Sequence, residues 1–187
     1  MTQVKPIYIV DTSTFIKLGG LPRDIFLPLW SGFQGLIVEG RIVTHSEVKK
    51  ELSGRLDTKE DDLWIWFREM DERFSIARDP SPFQIQKIQE IYEKYPQFID
   101  LESDKPQADP FLITYAMELM EGNQLPITGI KYDYYLVTEE RSGTERKNLK
   151  NPPEITRIPD YCKVYGIKCI DLWGLIRLEA WRFSLTE

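Results

Sequence analysis

The residues of this sequence best placed to do chemistry are acids standing just beyond short apolar runs. Asp11 follows Ile7-Tyr8-Ile9-Val10, and Glu139 and Glu140 follow Tyr134-Tyr135-Leu136-Val137 by way of Thr138. Asp109 stands before Pro110 at the head of an apolar-periodic segment, and Glu51 lies in Val48-Lys49-Lys50-Glu51-Leu52. Carboxylates brought together without Lys or Arg repel one another, and a hard divalent cation turns that repulsion into binding. Mg²⁺ or Mn²⁺ suits a set of carboxylate oxygens and retained waters. Each acid alone has a plainer reading. Asp11 can cap the turn of Asp11-Thr12-Ser13-Thr14, Asp109 can cap a helix for about 1 kcal/mol, and Glu51 and Glu139-Glu140-Arg141 can be solvated charge. Their joint placement and order point to a site.

Other chemistries have little to work with. His45 is the single histidine, and the two cysteines, Cys162 and Cys169, are spaced neither as a zinc knuckle nor as a redox pair. Buried free thiols are the simpler expectation. No Gly-x-Ser-x-Gly elbow, Walker loop or Gly-x-Gly-x-x-Gly fingerprint occurs.

The elements that must position the acids follow from periodicity. Ile7 to Val10 reads as a central parallel strand, since its near-continuous apolarity suits burial on both faces. Pro28 opens a helix through Leu29, Trp30, Phe33, Leu36 and Ile37 that stops at Gly40. After Ile42-Val43, Thr44-His45-Ser46-Glu47 reads as a capping box, and the helix it starts carries Glu51 and Leu52 to Gly54. Leu63, Trp66, Phe67 and Met70 mark a third helix. Ile85, Ile88, Tyr92 and Tyr95 mark a fourth, and both stripes are expected to face the core. Asp109-Pro110 opens a fifth, backed by Phe111, Leu112, Tyr115, Ala116 and Leu119. Tyr134 to Val137 is a strand, followed by a polar, basic loop to about Pro159. Ile167 to Ile170 is another strand, and Leu172 to Phe183 a last helix. Strands alternating with helices predict an α/β domain with a mostly parallel sheet. In such sheets the functional crevice lies at the carboxyl ends of the strands.

The 187 residues suit one domain, residues 1–187, with 42% hydrophobic and 29% charged residues in the ordinary globular range. The longest charge-free stretch, Ile25 to Val38, holds Pro28, Gly32 and Gly35 and is short of the about 20 apolar residues of a membrane span. No secretory signal pattern precedes Ile7, so the expectation is a cytoplasmic protein without membrane partners. A net charge of −6 argues against gripping duplex nucleic acid by bulk charge but leaves room for an acidic metal-dependent nuclease.

The succession Ile9-Val10-Asp11-Thr12-Ser13, Val48-Lys49-Lys50-Glu51-Leu52, Ala108-Asp109-Pro110-Phe111-Leu112-Ile113 with Ala116, and Leu136-Val137-Thr138-Glu139-Glu140 resembles the PIN-domain ribonucleases. It looks closest to a PIN-like bacterial and archaeal subfamily in which a Phe-x-x-Leu-Trp stretch, here Phe26-Leu27-Pro28-Leu29-Trp30, precedes the Glu helix. The resemblance runs from Ile7 to about Leu178. It implies a three-layer α/β/α PIN-like fold and a Mg²⁺ or Mn²⁺ site that cleaves RNA, with many members acting as toxins silenced by a small antitoxin. RNA is then the substrate, and an antitoxin or a second copy of the chain, as a homodimer, the protein partner. Position by position, Asp11, Glu51, Asp109 and Glu140 match the four metal-binding and catalytic acids, and Ser13 the small polar residue supporting the first. Many members have Asp where this chain has Glu140, so Glu139 is an alternative fourth acid, and Asp104 a possible auxiliary one. The implied reaction is metal-assisted hydrolysis, in which one or two ions polarise the phosphoryl oxygen and present a water.

Substrate contact falls to the basic loop, where Arg141, Arg146, Lys147, Lys150 and Arg157 against Glu145 and Glu154 give a net charge of +3. Two competing readings stay open. A haloacid-dehalogenase-type phosphatase also places an Asp after its first strand, but its second acid would fall on Ser13. A catalytically silent PIN-like module that binds protein or RNA is the other.

Overall fold

The structure is a computed structural model that describes residues 3–55, 62–70, 72–77, 79–122, 130–143 and 156–182. Its centre is a sheet of five parallel strands: β1 (Gln3–Val10), β2 (Ile42–His45), β3 (Ser75–Ala77), β4 (Ile130–Val137) and β5 (Lys168–Ile170). They lie in the order β3-β2-β1-β4-β5. The helices among the described residues are α1 (Thr12–Gly19), α2 (Leu27–Val38), α3 (Ser46–Arg55), α4 (Asp62–Met70), α5 (Pro82–Lys94), α6 (Ala108–Gly122), α7 (Ile158–Tyr165) and α8 (Leu172–Leu178). One group, α5, α6 and α7, packs together on β4 and β5, while α1 contacts α4 and α8. The architecture is a three-layer α/β/α fold. No helix among the described residues is long and apolar enough to cross a membrane.

The strand order decides where the acids go. The chain leaves β1 for β2 and β3 on one side, then returns to place β4 and β5 on the other, so β1 and β4 are neighbours whose outgoing connections diverge. They pair over their whole length, from Gln3 opposite Ile130 to Val10 opposite Val137. The crevice of an open parallel sheet forms at such a divergence, beyond the carboxyl ends of the strands. Asp11 and Thr138 are the first residues past the two strands. Beneath one face Trp30 stacks edge-on against Trp66 at 5.0 Å between centroids, and Phe15, Phe67 and Phe74 pack around them. At the opposite end of the sheet Glu179, just past α8, holds Arg41 and accepts a hydrogen bond from the Tyr8 hydroxyl, tying the end of α8 back to β1.

Several local expectations need correction. The Thr44 hydroxyl does not cap α3, because it donates to the Val10 carbonyl at 2.8 Å; the cap is His45, whose Nδ1 accepts the Glu47 N–H. β2 therefore runs two residues further than its Ile42-Val43 core, and the helix starts at Ser46. Of the expected stripe along α5, Ile88 and Tyr95 pack against the core and Tyr92 is half-buried, but Ile85 is exposed and the fully buried residues are Gln84 and Ile91, so the inward face is centred slightly off the expected stripe. The last helix ends at Leu178 rather than Phe183; Ala180, with φ of 53°, turns the chain so that Trp181 packs on Phe33. Residues 144–155 of the expected loop lie outside the described residues; beyond it stands a helix not expected from the sequence, α7, which begins at Ile158 with Pro159 in its first turn and stops at Gly166 in the left-handed region.

Candidate functional site

Asp11, just past β1, is in extended conformation (φ −82°, ψ 158°) and caps α1, its carboxylate accepting the Ser13 N–H. The capping role and the site role coincide in one side chain. Oδ2 also accepts the Ser13 hydroxyl at 2.5 Å and the Thr138 hydroxyl at 2.9 Å, so β1, α1 and the end of β4 are joined at one oxygen. Ser13 in turn accepts the Glu139 N–H, and Thr138 accepts the Glu140 N–H. Oδ1 of Asp11 has no hydrogen bond from a described residue. Asp11 is almost fully buried, and burial raises its carboxyl above the usual range despite the Ser13 and Thr138 bonds, with Glu140 and Glu51 adding to the rise.

Glu51 lies on α3 and links two other helix starts. Oε2 accepts the Thr12 hydroxyl, and Oε1 accepts the Ala108 N–H at 2.9 Å, one of the N–H groups that the first turn of α6 leaves without an intrahelical partner. Asp109 is the second residue of α6, and no hydrogen bond from a described residue reaches its carboxylate. Burial pushes its carboxyl well above the usual range, and the charges of Asp11, Glu140 and Glu51 push further, while Arg157 pulls the other way.

Glu140 completes the set. Its Oε1 accepts from Arg157 Nη1 at 2.9 Å and its Oε2 from the Ile158 N–H at 3.0 Å, so both oxygens meet the start of α7. Glu139, the alternative, turns to the other side, where it pairs with Lys17 at 2.8 Å and accepts the Leu172 N–H at the start of α8. Asp11, Ser13, Glu51, Asp109 and Glu140 line one cleft of about 320 Å³ together with Gln107, Phe98, Tyr161 and Arg157; Glu139, Asp104 and Arg141 are not in its lining. Asp104 and Arg141 are exposed. Arg146, Lys147 and Lys150 lie outside the described residues.

The four acids share the cleft without being drawn into a single coordination sphere: no group of three His, Cys, Asp or Glu among the described residues is assembled to hold an ion. The donor set nevertheless fits a hard cation that keeps several waters and binds through one or two carboxylates. Asp11 Oδ1 and the Asp109 carboxylate are acceptors without partners among the described residues, in a place where burial penalises their charge.

Two contributors, Thr138 and Asp160, were not apparent from the sequence. Thr138 supports Asp11 directly, although the sequence marks it only as the end of a strand. Arg157, expected from the sequence as one of the basic loop's substrate-contacting cations, lines the cleft. Asp160, the third residue of α7, is buried and accepts from the Ser142 hydroxyl and from the N–H groups of Gly143, Thr156 and Arg157. Burial works against its charge, but these bonds outweigh it and hold the carboxyl below the usual range. A sequence signal existed in Pro159-Asp160, an acid in the first turn of a Pro-started helix.

No curated protein matches the chain. Residues 8–183, nearly the whole length, match the family described as "Domain of unknown function (DUF4411)", and the protein belongs to that family.

Proposed function

We propose that the protein is a divalent-metal-dependent ribonuclease that hydrolyses phosphodiester bonds in the acidic cleft. The observation that carries this reading is that Asp11 and Asp109 share one cleft with acceptor oxygens that no described residue engages, each carboxyl made harder to ionise by burial and by its acidic neighbours. A cation relieves both penalties at once. Asp11 and Asp109 would hold it directly. Glu51, with both oxygens already receiving hydrogen bonds, would act through retained water. Bound Mg²⁺ or Mn²⁺ supplies charge stabilisation at the phosphoryl oxygen and a more acidic water. The chain's own part is to fix the acids: Ser13 and Thr138 set the rotation of the Asp11 carboxylate, and Thr12 and the Ala108 N–H set that of Glu51.

The resemblance to PIN-domain ribonucleases supports RNA as the substrate, and a toxin silenced by a small antitoxin as its finer form. The test is cleavage of single-stranded and hairpin RNA by purified protein with Mn²⁺, Mg²⁺ or EDTA, alongside Asp11→Asn. Metal-dependent cleavage lost in the variant, with the fold intact by circular dichroism, is expected. Metal and RNA binding without cleavage would instead identify a silent module, and cleavage unaffected by Asp11→Asn would remove Asp11 from the site.

A further inference from the structure

Glu140 is held unlike the other acids of the cleft. Both its oxygens already face positive partners, the Arg157 guanidinium and the N–H of Ile158. Asp11, by contrast, keeps one oxygen free of hydrogen bonds from described residues, and Asp109 both. For Glu140 to reach an ion it would have to leave the start of α7 and strand a guanidinium among carboxylates. Nothing in the geometry favours that exchange, because an ion bound through one or two carboxylates is already provided for by Asp11 and Asp109.

Arg157 is the only Lys or Arg lining the cleft among the described residues. Its backbone is fixed, the N–H donating to Asp160 Oδ2 at 3.2 Å. Its side chain is 41% exposed, and among the described residues its one side-chain partner is Glu140, at Nη1. Nε and Nη2 are left without a partner among the described residues. A guanidinium held along one edge by a carboxylate presents its other donors as a planar fork, the shape that matches two oxygens of a phosphate. A polyanion entering a cleft lined by four carboxylates needs such a fixed positive group beside the ion.

We propose that Arg157, aimed by Glu140, grips a phosphate of the RNA backbone, and that Glu140 is a positioning residue for that guanidinium rather than a ligand of the divalent ion. The inference rests on the ribonuclease reading and divides its acids into two functions: Asp11 and Asp109 serve the metal, and Glu140 serves the substrate.

Two measurements on the full chain test it. Calorimetric titration with MnCl₂ should give the same affinity for wild type and Glu140→Gln within about twofold, and a much weaker one for Asp109→Asn. Binding of a phosphorothioate-linked single-stranded oligoribonucleotide in Mn²⁺ should weaken about tenfold in Arg157→Ala and several-fold in Glu140→Gln. The double variant should be no worse than Arg157→Ala alone, since the two residues act through one contact. The log–log salt slope should fall by about 0.7 in Arg157→Ala on single strands. Arg157→Lys should restore the slope without the full affinity, because it keeps the charge and loses the fork; a melting temperature equal to wild type shows that it folds. A tenfold loss of Mn²⁺ affinity in Glu140→Gln would overturn this assignment and leave the ribonuclease reading standing. Oligonucleotide affinity unchanged in Arg157→Ala would overturn it equally. A wild-type chain that binds no Mn²⁺ would overturn the ribonuclease reading and this inference together.

Discussion

Asp109 carries the least compensated charge of the cleft, and its behaviour with pH follows from that. Its native carboxyl titrates well above the ordinary value that it has in the unfolded chain, first because of burial and then because of Asp11, Glu140 and Glu51. Between those two values the folded state binds more protons than the unfolded one, so this residue makes the metal-free protein less stable as pH rises. Melting in EDTA from pH 4 to 7.5 should therefore show Asp109→Asn gaining on wild type as pH increases, each 1 kcal/mol appearing as about 2–4 °C. Saturating Mn²⁺ should reverse the ranking, since only wild type keeps the ligand. An Asp109→Asn curve parallel to wild type in EDTA would mean that the carboxylate has a partner in solution. Which of two adjacent glutamates enters the cleft is a different kind of question, one that the sequence does not answer. Beyond Val137 the chain has left the sheet, and the two-residue alternation that assigns faces within a strand no longer applies. Only the contacts with Lys17 and α8 on one side, and with Arg157 on the other, separate Glu139 from Glu140.

Among the elements, α7 has the largest influence on the site for its length. Its start supplies Arg157 and the Ile158 N–H to Glu140, and Asp160 joins residues on both sides of the 144–155 segment. Asp160→Asn removes a buried charge that accepts four hydrogen bonds and should cost about 1–3 kcal/mol. The Asp160 carboxyl is depressed in the fold, so its contribution is present above the ordinary carboxylate value and is lost as pH falls through the native one. The deficit of Asp160→Asn relative to wild type should accordingly shrink in acid, and a deficit constant with pH would assign it to packing alone. The sequence does carry α7, as Ile158, Tyr161, Cys162 and Tyr165 at helical spacing, with Pro159 in the first turn and Gly166 just past the end. The cations before it obscure it, because charge tells of solvent and ligands and has no helical period. The long helices and the central strands were legible for the opposite reason, being held by apolar residues at a definite period, as in Leu112, Ile113 and Ala116 of α6. β3 has three residues at the sheet edge, too few for any period to register.

At the scale of the molecule, the segment after α8 closes over α2. A Cβ added at Gly32 would stand 2.7 Å from the Trp181 ring, whose bulk cannot swing aside as the tip of a flexible side chain would. Gly32→Ala should therefore displace Trp181, costing about 1–3 kcal/mol and altering tryptophan fluorescence, while Gly35→Ala, with open space around it, should leave the emission unchanged. The pairing of β1 with β4 governs something else, the timing of assembly. Thr138 and Asp11, which share a hydrogen bond, are 127 positions apart in the chain. At about 5–20 residues per second of synthesis, roughly 6–25 s separate their appearance. During that interval β1 can pair with β2 but must wait with its other edge open, an apolar strand of Ile7, Tyr8, Ile9 and Val10 exposing its backbone groups. The nascent chain is thus most prone to aggregate before β4 docks; of the four acids, Asp11, Glu51 and Asp109 are already synthesised by then, and only Glu140 arrives with β4, just past its end.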